Sequence, residues 1–183
     1  FNLTNLESNT VGKPLFNGNI ASMFVNIPKL GDAHLYAYQY DQLNRIVSMD
    51  AFKGFSPTTG GAGGGWIGGQ PATTLNYKER ISYDPNGNIL TYYRNGSTTP
   101  PANGGGGGGQ QQMDQLTYGY NTSAGKLVNN RLRHVKDAIG DGNYTEDVDN
   151  QPDDNYGYDE IGNLISDNKE GITNIEWTVY GKI

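Results

Sequence analysis

Apolar and polar residues alternate along short stretches of this chain, and the stretches are separated by clusters of Gly, Asn and Asp. Residues 34–40 (HLYAYQY) alternate with the two-residue period of a β-strand, and Tyr156-Gly157-Tyr158 does the same. After Tyr158 comes DEIGN (159–163), in which Gly162-Asn163 accepts positive φ, and then a second apolar run from Leu164. Tyr156–Asp167 is therefore expected to be one β-hairpin. Further strands are expected within 16–25, 45–49, 75–83, 89–94, 116–120, 126–128, 131–136 and 172–179, with another short one at Phe52 and Phe55. No stretch has the period of an amphipathic helix, so the expected fold class is all-β, built of repeated β-hairpins.

The hairpin recurs. YQYDQLNRIVS (38–48), ISYDPNGNILT (81–91) and YGYNTSAGKLV (118–128) are copies of it, the last with one extra turn residue. The repeated positions are Tyr38, Tyr40 and Asp41; Tyr83, Asp84, Gly87 and Asn88; Tyr118, Tyr120 and Gly125; and Tyr156, Tyr158, Asp159, Gly162 and Asn163. The anchor tyrosines Tyr40, Tyr83, Tyr120 and Tyr158 are spaced 43, 37 and 38 residues apart. Weaker copies, FNGNIAS (16–22) and VYGKI (179–183), lie at about half that spacing, which gives a base period of roughly 20 residues and marks a repeat architecture. Residues 1–15 form a lead-in, and 16–183 form the array. Glycine-rich stretches interrupt it at 56–69 and 97–112 and are expected to be flexible loops, the first pinned by Trp66 and Ile67.

Composition narrows this further. Hydrophobic residues make up 34% of the chain and 27 residues are Gly, low for an ordinary core, but 13 tyrosines supply ring area with a hydroxyl that stays hydrogen-bonded. A net charge of −6 argues against nonspecific nucleic-acid binding. With no cysteine, neither a disulfide framework nor a thiolate metal site is available. No apolar run reaches the ~18 residues of a membrane span. The chain begins at Phe1 and ends at Ile183 directly after a turn, so a longer parent polypeptide is expected.

Catalytic chemistry finds little support. His34 and His134 sit in separate strand patterns with no partner at metal-ligand spacing, and no G-x-S-x-G motif is present. The acidic stretch 137–154 lacks the EF-hand arrangement and reads as a solvated loop. Asp153 and Asp154, if on a strand, point to opposite faces and make a poor hydrolase pair. The glycine-rich stretches lack the Lys-Ser/Thr ending of a phosphate loop. The expectation is no enzyme, no metal and no cofactor. The tyrosines can be read as a carbohydrate-binding surface or as a ladder between hairpins, and their turn-linked spacing favours the ladder. Were Tyr158 buried in it, truncation to alanine would cost about 3 kcal/mol.

Y-x-Y-D-x-x-G-N-L at Tyr156–Leu164, with YQYDQLNRI, SYDPNGNIL and FNGNI, resembles the YD repeat of bacterial Rhs proteins of the Bacteroidetes type and of the related teneurin shells. Asn44 stands at the usual glycine position and Asn121 at the usual aspartate. The resemblance implies a β-sheet spiralling into a hollow shell that encloses a C-terminal toxin or effector domain for delivery. Its implied partners are the remainder of the same polypeptide (a core segment and the enclosed domain) and secretion machinery, with no nucleic acid and no membrane span. The implied location is secreted or at the cell surface. The alternative is a secreted adhesin or carbohydrate-binding repeat protein, and a glycosidase on a β-scaffold comes third.

Overall fold

The computed structural model describes residues 15–27, 29, 33–56, 65–66, 72–97, 112–140, 144 and 148–183. Among them there is no helix, and the chain is all-β. The strands are β1 (Ser22–Val25), β2 (Ala33–Tyr40), β3 (Ile46–Ser56), β4 (Gly65–Trp66), β5 (Ala72–Tyr83), β6 (Ile89–Asn95), β7 (Gln112–Ser123), β8 (Lys126–Asp137), β9 (Tyr156–Tyr158) and β10 (Leu164–Asp167). Seven of them form an antiparallel sheet in the order β1-β2-β3-β5-β6-β7-β8, with β4 added on β3, and β9 and β10 pair separately. The chain divides into two compact units, Phe1–Ile81 with Tyr93–Gln112 and Ser82–Tyr92 with Met113–Ile183.

In the first unit the core is a cross-strand line. Phe24 on β1 lies opposite Leu35 on β2, which lies opposite Phe52 on β3. Opposed side chains on one face of a sheet touch, and Leu35 and Phe52 are almost fully buried with Phe24 and Ala37 packed against them. Arg80 on β5 reaches back to β3, with Nη2 at 2.6 Å from Asp50 Oδ1 and Nη1 donating to Met49 O at 3.1 Å.

In the second unit β7 and β8 pair from Ser123↔Lys126 to Leu116↔Asp137 and bury Leu116 and Val135. Here the glycine between paired tyrosines has a steric cause. Gly119 lies opposite His134, and a Cβ on it would run into the imidazole ring. Gly157 repeats the device on β9, where a Cβ would meet Ser166 Oγ. In these two copies the glycine of Tyr-Gly-Tyr makes room for the side chain opposite, whereas Gln39 stands opposite Ser48.

Several expected boundaries are corrected. Phe52 and Phe55 belong to the same 11-residue strand as Ile46 rather than to a separate one. The expected strand at 131–136 is the continuation of β8, 12 residues long. Gly65–Trp66 pairs with Phe55 and Ser56, so the first glycine-rich stretch contains a short strand where a loop was expected. Gln112 opens β7 instead of closing the second interruption. Residues 172–179 are not a strand: only Ile172 bridges to Asp167. Gly171 at φ 67° turns the chain sharply there, and the residues after it are held singly, Ile175 N–H donating to Ile165 O at 2.8 Å. The lead-in, apart from Leu15, and the reading of Ile67 fall outside the described residues.

Candidate functional site

The recurring feature of the fold is a five-residue turn built on aspartate. Asp41, Asp84 and Asp159 each donate their N–H to the carbonyl four residues on, at 2.9, 2.9 and 3.0 Å. Each carboxylate then grips the same residue twice. Oδ1 accepts the N–H of Arg45 (3.0 Å), Asn88 (2.9 Å) or Asn163 (2.8 Å). Oδ2 accepts from the side chain of that residue: Arg45 Nε at 2.6 Å, Asn88 Nδ2 at 2.7 Å and Asn163 Nδ2 at 2.8 Å. This explains why aspartate is paired with Asn, or with Arg in the Asn44 variant. The residue before it has positive φ: 61° at Asn44, 95° at Gly87 and 102° at Gly162. Asn tolerates the first value, but the other two suit glycine. Gly162→Val is expected to cost about 1.5 kcal/mol in thermal unfolding, because a β-branched residue rarely adopts φ 102°.

The third copy turns differently. With Asn121 replacing aspartate, β7 runs on to Ser123 and reverses over Ala124 and Gly125, at φ 48° and 73°. Positive φ at both central residues is the two-residue hairpin turn, so the extra residue lengthens the strand rather than the loop.

A fourth five-residue turn falls at the weaker copy expected at 179–183, beginning one residue earlier. Thr178 N–H donates to Lys182 O at 2.8 Å, Lys182 N–H to Thr178 Oγ1 at 3.2 Å, and Gly181 has φ 69°. Threonine takes the aspartate position and Trp177 the tyrosine position. The signal lay in the spacing aromatic, oxygen acceptor, two residues, glycine.

Four aromatics that precede turns reach the hairpin before them. Tyr40 OH donates to Ile20 O at 2.9 Å, Tyr120 OH to Ile89 O at 3.0 Å, and Trp177 Nε1 to Leu164 O at 2.7 Å. All three acceptors directly follow a Gly-Asn pair (18–19, 87–88, 162–163). Tyr158 OH donates to Leu132 O at 2.9 Å, the analogous link to the variant hairpin. Burial pushes the Tyr120 and Tyr158 phenols above their ordinary range, so both stay protonated donors at neutral pH. The turns are also stitched laterally: Asn17 and Asn19 Nδ2 both donate to Asn44 Oδ1 at 2.7 and 3.0 Å, and Asn86 and Asn88 Nδ2 to Asn130 Oδ1 at 3.1 and 2.9 Å. The structure thus gives Tyr40, Tyr120 and Tyr158 a linking role. Tyr156 OH accepts instead from Gln151 Nε2 at 2.7 Å.

Hydrogen bonds lower the turn aspartates. Asp41 is held down first by the Arg45 N–H and then by its guanidinium, and Asp84 first by the Asn88 side chain. For Asp159 burial pushes upward, but the bonds from Asn163 and Gly162 prevail. A folded pKa below the unfolded value of about 3.9 means a contribution to stability present above that pH and lost as pH falls through the folded pKa. In a carboxyl NMR titration Asp84 is expected to show a midpoint below that of an unstructured aspartate. A midpoint at or above it would remove the turn as the cause.

The residues considered for chemistry are engaged elsewhere. His34 stacks on Tyr36 at 6.1 Å and meets Tyr77 edge-on at 5.9 Å. His134 Nδ1 is 3.8 Å from Asp153 Oδ1, an oxygen that Lys136 Nζ holds at 3.0 Å. Asp153 and Asp154 lie in a turn, not on a strand as assumed, and face separate cations, Asp154 pairing with Arg133 at 2.6 Å. They are therefore an ion-paired but still exposed end to the acidic stretch. Among the described residues no group of three or more His, Asp or Glu is placed to hold a metal ion. In the first unit a cleft of about 440 Å³ is lined by Asn17, Asn19, Gln39, Tyr40, Asp50 and Phe52, among others.

No protein-family model matches the chain, and no curated protein or solved structure matches it significantly.

Proposed function

We propose that this chain is a non-enzymatic wall segment of an Rhs/YD-repeat shell that encloses a C-terminal toxin or effector domain for delivery outside the cell. The observation that carries this reading is the linkage of four hairpins to their predecessors through one aromatic donor and one backbone carbonyl, at Tyr40, Tyr120, Tyr158 and Trp177. A hairpin alone buries too little surface to be stable, so units joined this way persist only as an array. Such an array makes a wall, and the turn residues are spent on holding it rather than on reacting groups.

The test uses the whole polypeptide that carries this sequence. Single-particle electron microscopy is expected to show a hollow shell, and limited proteolysis to leave a C-terminal domain uncut until the shell is disrupted. A solid or extended particle with a freely cleaved C-terminal region would overturn the reading. The adhesin alternative is favoured by one observation, the amide- and tyrosine-lined cleft beside Phe52. Glycan-array binding lost in Gln39→Ala would move the assignment to it.

A further inference from the structure

β8 ends the seven-strand sheet, so the backbone groups on its outer edge need partners that are not a strand. A short strap supplies them. Gln151 N–H donates to Val135 O at 3.1 Å, and Val135 N–H donates to Gln151 Oε1 at 2.7 Å. One residue therefore satisfies both backbone groups of Val135, its side-chain amide standing in for the carbonyl of a paired strand. Asn150 repeats half of this, its Oδ1 accepting Asp137 N–H at 3.0 Å. Lys136 Nζ donates to Gln151 O at 2.6 Å, and Lys136–Asp153 and Arg133–Asp154 complete the attachment.

The strap imitates a strand without being one. Pro152 has no N–H to donate, and Asp154 sits at φ 57°, so the ladder stops after Gln151. Its anchoring carboxylates are largely exposed, about 70% for both Asp153 and Asp154, where ion pairs contribute little. The strand beneath is basic, with Arg131, Arg133, His134 and Lys136 in succession, and the strap is acidic. A second β8 is a poor occupant of this edge, because like charges would be brought side by side.

We infer that the outer edge of β8 from Arg133 to Asp137, beyond the Leu132 carbonyl that Tyr158 occupies, is a strand-addition surface for an acidic extended polypeptide, kept closed by residues 150–154. Main-chain hydrogen bonds would hold the incoming strand, and Arg133 and Lys136, released from Asp154 and Asp153, would select its charge.

The probe is a short fluorescent peptide alternating valine or threonine with aspartate, titrated against the full chain and followed by anisotropy. Two variants act on the strap: Gln151→Ala opens it by removing the acceptor for Val135 N–H, and Asp153→Asn with Asp154→Asn frees Arg133 and Lys136 for the peptide. The second pair leaves the bonds to the β8 backbone untouched, so it folds even if loss of the Gln151 amide does not allow folding. Both variants are expected to bind at least about tenfold tighter than the unsubstituted chain. Binding should vanish when Lys136→Glu is added or when lysine replaces aspartate in the peptide. Gln151→Glu keeps the acceptor for Val135 N–H and should stay closed. Equal affinity for variant and unsubstituted chains, affinity indifferent to charge reversal, or no binding to either variant would overturn the inference.

Discussion

Phe52→Ala is expected to lower the stability of the first compact unit by about 3 kcal/mol, read as a lower urea midpoint with an unchanged slope. Phe52 is 6% exposed and stands opposite Leu35, itself 3% exposed, in the line that begins at Phe24. Removing the ring loses its transfer free energy and leaves a void that Leu35 cannot fill, because β1, β2 and β3 fix the strand spacing. Phe52→Leu keeps most of the volume and should cost less than about 1.5 kcal/mol. If Phe52→Ala cost under about 1 kcal/mol, the cross-strand line would not be the core of this unit.

Tyr158→Ala is expected to cost about 2.5 kcal/mol in the second unit. This is slightly below the figure for a fully buried ring, because Tyr158 is only half-buried. Two contributions are separable. The hydroxyl donates to Leu132 O, and the ring carries Arg131, whose guanidinium carbon is 5.7 Å from the ring centroid and whose Nη2 donates to Glu160 O at 3.0 Å. Tyr158→Phe removes only the first and should cost about 1 kcal/mol. Should Phe prove as costly as Ala, the hydroxyl link would hold this hairpin alone and ring packing would count for nothing.

The hairpin unit was legible because its constraints are local. Asp159, Gly162 and Asn163 lie within five residues, and turn chemistry couples residue type to backbone angle directly. The links between hairpins were harder to see, since Tyr120 finds Ile89 across 31 residues and its acceptor is a backbone group present at every position. The strap was opaque too. Gln151 matters through the register it happens to meet on β8, which no neighbour in sequence announces. The strand expected at 172–179 failed because ITNIEWTV has strand-like alternation, but Gly171 turns the chain and Trp177 spends its N–H on Leu164.

The link between hairpins also bears on how such an array diverges. Only its donor is written in the codon. The acceptor is a main-chain carbonyl that no point substitution deletes, so half of every joint is exempt from mutation. The donor half is degenerate as well: an indole at Trp177 reaches Leu164 as the phenol at Tyr120 reaches Ile89. Duplicated units can therefore drift until their letters no longer align while the joints between them survive. Kinship among such arrays would then be preserved in three dimensions after it has faded from the sequence.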